Sequence, residues 1–121
     1  MARPTKQGID YFPLDVDFDL DDKFQLVMAK HGAIGSWVVT IVLCKIYSEG
    51  YFYYWNEREQ LLISRRVNVD IKSVIDVINS AIHFGIFDQN KYDTYKILTS
   101  NGIQKRYIEA VKKRKEVTII N

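Results

Sequence analysis

With 121 residues, 47% hydrophobic and 26% charged, the chain has the make-up of one globular domain long enough to bury a core, which excludes intrinsic disorder. Its one cysteine excludes an intrachain disulfide, and no Cys/His cluster has the spacing of structural zinc. The net charge of +2 conceals an asymmetry: residues 1–60 carry six Lys/Arg against nine Asp/Glu, and residues 61–121 carry eleven against six. Much of that excess lies in Lys105, Arg106, Lys112, Lys113, Arg114 and Lys115, which points weakly to an anionic partner.

The opening MARPTKQGIDYFPLD has no apolar signal core, so a cytoplasmic protein without a membrane partner is expected. Pro4, Gly8 and Pro13 make residues 1–19 an extended arm. Ile9, Tyr11, Phe12, Leu14, Val16 and Phe18 are too apolar for a free tail, so the arm should lie in a groove of the domain or of a neighbouring subunit. Asp15, Asp17 and Asp19 alternate with Val16, Phe18 and Leu20, which puts the carboxylates on one side of an extended segment. A calcium loop begun at Asp15 needs Gly at its sixth position and Glu at its twelfth. Those positions hold Leu20 and Leu26, so a solvated acidic edge is expected there and no metal.

Asp21 or Asp22 caps a first helix over about 22–31, with Leu20 stapling onto its first turn. Phe24, Val27, Met28 and His31 share one face, and Gly32 closes the helix. Gly32 and Gly50 then bracket Ala33 to Glu49, which is apolar almost all round. Its dense apolar part is shorter than the roughly 20 residues a bilayer needs, so this helix is the buried axle of the domain.

Tyr51 to Trp55 read as a short aromatic strand, with Tyr51, Tyr53 and Trp55 on one face and Phe52 and Tyr54 on the other. Such a strand either packs on a core or stacks nucleic-acid bases. Asn56 caps a third helix, about 57–66, whose acidic first turn (Glu57, Glu59) and basic last turn (Arg65, Arg66) suit the helix dipole. Val67 to Val69 form a tight turn, and Asp70 caps a fourth helix over about 71–84. Ile71, Val74, Ile75, Ile78 and Ile82 make its apolar stripe, with Lys72, Ser73, Asp76, Asn79, Ser80 and His83 mostly opposite. A turn of that length between two helices is helix-turn-helix spacing.

Ile86–Asp88 and Tyr95–Leu98 read as strands flanking a polar hairpin tip, Gln89–Thr94, and complete a three-stranded antiparallel sheet with the aromatic strand. A final helix starts near Thr99 to Asn101, with Asn101 and Gln104 at capping-box spacing, and runs to about 116. Ile103, Tyr107, Ala110 and Val111 form its apolar side. The expected fold is therefore mainly α with a small antiparallel sheet (α+β). It is a winged helix-turn-helix core over residues 20–99, with the arm at 1–19 and an extra basic C-terminal helix and tail at 100–121.

The opening ARPTKQGIDYFPLDVDF, the stretch Gly32 to Gly50, and Ile97 to Tyr107 ending in Lys112-Lys113-Arg114-Lys115 resemble the N-terminal domain of prophage and replication-initiation proteins typified by listerial prophages. That domain is similar to the winged-helix N-terminal domain of DnaD-like replisome organisers. The resemblance implies a role in phage-type or mobile-element replication initiation, by DNA binding, self-assembly or both, with other replication proteins as further partners. Relatives often carry a second, C-terminal DNA-binding domain, for which this length leaves no room. The family supplies no catalytic motif to carry over, and neither an enzyme nor a cofactor is expected.

Two functional readings follow. As a DNA-binding module for double- or single-stranded DNA, the fourth helix enters the major groove, with Lys72, Ser73, Asn79, Ser80 and His83 reaching bases or phosphates. Arg65 and Arg66 lie near phosphates, and Lys91 and Lys96 serve the wing. Lys105, Lys112, Lys113, Arg114 and Lys115 add sequence-independent attraction. Against this, the fourth helix has one Lys, no Arg, and acids at Asp70 and Asp76, so a plain solvated face is the competing reading. As a self-association module forming a homo-oligomer, the chain uses the arm (Tyr11, Phe12) and the aromatic strand (Tyr51, Tyr53, Trp55).

Overall fold

The computed structural model describes the backbone of residues 8–120 and the side chains of residues 8–114. The first seven residues of the expected arm and the side chain of Lys115 lie outside the described residues.

Helix α1 (Asp22–His31) begins where the Asp21 carboxylate accepts the Lys23 N–H at 2.9 Å, and it stops at Gly32, φ 69°. Helix α2 (Ala33–Glu49) follows with the bounds its flanking glycines set. It is the axle: Val38, Val39, Val42 and Ile46 are completely buried, and Tyr47 nearly so. A Cβ on Gly35 would lie 3.0 Å from His31 Cβ and 3.1 Å from Val27 Cγ1, so this glycine lets α1 and α2 approach closely. Helices α3 (Glu57–Val67) and α4 (Ile71–His83) pack on α2 and on each other, and α1 also packs on α4. The apolar stripe of α4 completes the core with Val74, Val77, Ile78, Ala81 and Ile82.

The sheet is smaller than expected. Strands β1 (Tyr53–Tyr54) and β2 (Ile97–Leu98) pair antiparallel, Tyr53 opposite Leu98 and Tyr54 opposite Ile97. The expected hairpin tip Gln89–Thr94 is corrected to a helix, α5 (Gln89–Tyr95), and the expected strand Ile86–Asp88 to a non-strand connection before it. The cause is Asp88, whose side chain caps that helix by accepting the Lys91 N–H at 2.9 Å. Ile86 and Phe87 donate their N–H groups to the Ala81 carbonyl, so they wrap the end of α4 instead of extending. Phe87 then fills the core completely.

Helix α6 (Asn101–Ile120) is capped one residue earlier than the expected box: the Ser100 hydroxyl accepts the Ile103 N–H at 3.1 Å. Leu20 is exposed and does not staple α1; Phe18, in a short 3-10 turn at Phe18–Leu20, packs edge-on to Phe24 instead, with centroids 5.2 Å apart. The arm docks on its own domain. Ile9 donates its N–H to the Tyr47 carbonyl at 2.8 Å, and Phe12 stacks on the Tyr47 ring at 4.4 Å. Gly8 lies so close to Ser48 that any Cβ would fall on the Ser48 carbonyl. Among the described residues no helix is long and apolar enough to cross a membrane.

Candidate nucleic-acid interface

The α3–α4 corner is built from local chemistry. Asn68 adopts the left-handed conformation (φ 58°, ψ 47°), which Asn tolerates better than most side chains. Its N–H and that of Val69 both bond the Ser64 carbonyl, while the Ser64 hydroxyl donates to the Val69 carbonyl at 2.5 Å. Asp70 then starts α4, accepting the Ser73 N–H at 3.0 Å and the Ser73 hydroxyl at 2.8 Å. The Ser73 hydroxyl, followed by its N–H, holds the Asp70 carboxyl below its ordinary range. The Trp37 indole N–H reaches the Val67 carbonyl at 3.1 Å, tying the corner to α2.

From this corner α4 presents one exposed stripe: Lys72, Asp76, Asn79 and His83, spaced as successive turns of one helix face. Arg65 and Arg66 are exposed in the last turn of α3, immediately before the corner. These six side chains form the candidate interface. Two expected members sit elsewhere. Ser73 is half-buried and its hydroxyl is committed to the Asp70 cap. Ser80 is buried against α1, with its Oγ 2.7 Å from His31 Nε2, so it is corrected from a base-reading residue to a core polar pair. Burial and the neighbouring Lys30 push the His31 pKa down, with Asp76 opposing.

The remaining basic residues lie on two other elements. Lys91 and Lys96 belong to α5 and its left-handed cap, not to a strand hairpin. Their ammonium groups lie 5.8 Å from the Tyr95 ring centroid and 4.8 Å from that of Tyr92. On α6, Lys105, Lys112 and Lys113 are exposed. Arg114 is exposed too, but its Nη1 donates to the Gly8 carbonyl at 3.0 Å, so part of that guanidinium holds the arm. Arg106 donates through Nε to the Tyr47 hydroxyl at 3.0 Å.

Of the residues expected to mediate self-association, Tyr11 and Tyr51 are exposed and Phe12 is half-buried on Tyr47. Tyr53 and Trp55 are buried core residues and offer no surface. The Tyr53 hydroxyl is buried without a hydrogen-bond partner among the described residues, and burial, with Glu49 and Glu59 nearby, pushes its pKa up to about 12. A cleft of about 690 Å³ separates the arm from the start of α6. Asp15, Asp17, Asp21 and Asp88 line it together with Lys23 and Arg106, so acidic groups outnumber basic ones and the cleft does not suit a phosphate backbone. Among the described residues no group of three or more His, Cys, Asp or Glu side chains could hold a metal ion.

The fold is that of a small, mainly helical α+β domain, packed around α2 and carrying one two-stranded antiparallel sheet among the described residues. The chain belongs to the Lin1244/Lin1753-like N-terminal family, whose model matches residues 11–103. It is similar to a phage-related protein, Lin1244/Lin1753 of Listeria innocua serovar 6a, with 48% identity over 120 residues. That alignment covers 99% of this chain and 39% of the relative, so the chain spans about two fifths of the relative's length. No solved structure matches the chain.

Proposed function

We propose that this chain is a DNA-binding, helix-turn-helix module of a phage protein, in which α5 stands where a wing hairpin would otherwise be. The observation that carries the reading is the α3–α4 corner. An exposed polar stripe on α4 begins one tight turn after an exposed arginine pair. In that arrangement α4 faces the major groove, Asn79 and His83 meet base edges, and Arg65, Arg66 and Lys72 meet phosphates. Asp76 opposes the field, so much of the affinity comes from Lys105, Lys112 and Lys113 on α6.

A place in replication initiation is the same proposal taken further. It rests on the resemblance to replisome organisers and on the phage-related character of the relative. The experiment is a variant series read by DNA affinity. Changing Arg65, Arg66 and Lys72 together to Ala should weaken duplex binding at least tenfold at low salt while leaving the circular-dichroism melt in place. Asn79→Ala should flatten preference among sequences more than it weakens binding. Duplex affinity untouched by the triple substitution refutes the assignment of this face.

A further inference from the structure

Two surfaces outside the helix-turn-helix stripe are unfilled, and each carries what the other lacks. The first is the outward face of α3. Arg58, Leu61, Leu62 and Arg65 recur at helical spacing and line a shallow groove made wholly by this helix, with Glu57 at its N-terminal end. Leu61 and Leu62 are half-exposed, which leaves a pair of aliphatic side chains in water between two guanidinium groups. Arg58 pairs with Glu59 at 3.0 Å, yet its side chain remains 78% exposed. Arg65 makes no ion pair with a described residue.

The second surface is the distal half of the arm. Beyond its anchors at Ile9 and Phe12, the chain presents Val16, which is fully exposed, between Asp15 and Asp17. Leu14 and Leu20 are also exposed, and no lysine or arginine occurs from Asp10 to Asp22. Neither Asp15 nor Asp17 forms an ion pair with a described residue. The arm therefore offers an aliphatic knob flanked by carboxylates, and α3 offers an aliphatic groove flanked by guanidinium groups. Within one chain the arm is held on Tyr47 and, through Phe18, on Phe24, and no described residue of the arm lines the α3 groove.

We propose that the α3 groove takes the acidic arm of a second copy of this chain. Val16 packs on Leu61 and Leu62, and Asp15 and Asp17 meet Arg58 and Arg65. The two faces differ, so the contact is heterologous: it closes as a ring or a reciprocal pair, or else runs on as a chain of subunits. The contact stands independently of the DNA reading, although Arg65 belongs to both surfaces. Charge at the rim makes the association sensitive to salt, and the central aliphatic contact supplies the desolvated patch.

Sedimentation velocity on the whole chain tests this in the absence of DNA. The wild type should gain mass with rising concentration and lose it with rising salt. Arg58→Glu with Arg65→Glu should give a monomer, as should Asp15→Lys with Asp17→Lys. Mixing the two variants should restore a complex, because each then meets an opposite partner. Duplex affinity of the arginine variant is measured alongside. A wild type that stays monomeric, or charge reversals that leave the mass unchanged, overturns the proposal. So does a mixture that fails to reassociate. A loss of duplex affinity with unchanged mass assigns the groove to DNA instead of to the arm.

Discussion

Individual side chains set where this domain is under tension. Tyr53 carries a buried hydroxyl without a partner among the described residues, on a ring that the core needs. Tyr53→Phe removes the unsatisfied group and keeps the ring, so it should raise stability by about 1 kcal/mol, read as a higher Tm. His31 works in the opposite sense. Its pKa is held below the ordinary 6.5, chiefly by burial against the α1–α4 contact. As pH falls, the unfolded chain therefore takes up the proton first. Stability is full above the unfolded value and is lost as pH drops through the folded one. Melting followed from about pH 7.5 to about pH 5.5 should show this decline, and His31→Gln should flatten it. The placement of Ser80 was not legible in the sequence. It lies on the boundary between the apolar and polar sides of α4, and only the position of His31 on a neighbouring helix settles which way it turns.

At the scale of elements, the legible parts were those whose ends are fixed by local chemistry. Gly32 and Gly50 bound α2, and Asp21 and Asp70 start α1 and α4, because positive-φ glycines and capping carboxylates act within a few residues. The α3–α4 corner was legible for the same reason, and Asn68 is its critical position. Asn68→Val should cost about 1–2 kcal/mol in the melt, since a β-branched residue is strained in the left-handed region, whereas Asn68→Gly should be nearly neutral. Helix α5 was read as a hairpin tip because Gln89 to Thr94 lacks any apolar period. The missed signal was Asp88, a capping residue taken for the end of a strand. The arm shows how a single glycine can govern an element. Gly8→Ala puts a methyl group on the Ser48 carbonyl, so it should release the arm and make the Phe12 side of the peptide chain faster to proteolysis.

For the whole molecule, α2 makes the rest a shell, and the core was legible because its apolar faces are periodic. Ile46→Ala, at a completely buried position, should cost about 2–5 kcal/mol and lower the Tm accordingly. The surface was less legible, because charge in a sequence does not say which basic groups are already engaged. Arg114 and Arg106 read as members of the late basic run, yet one bonds the Gly8 carbonyl and the other the Tyr47 hydroxyl. Tyr53 and Trp55 read as a candidate contact face and lie inside the core instead. The proposed DNA reading joins the α3–α4 corner to the lysines of α6.

That central claim is tested most directly by a fluorescence-anisotropy titration of labelled duplex and single-stranded DNA at two salt concentrations, using the wild-type chain. The account predicts binding to duplex at low salt that weakens steeply as salt rises, with a slope reduced by about 1 for each of Lys112 and Lys113 changed to Ala. Absence of duplex binding at low salt would contradict it.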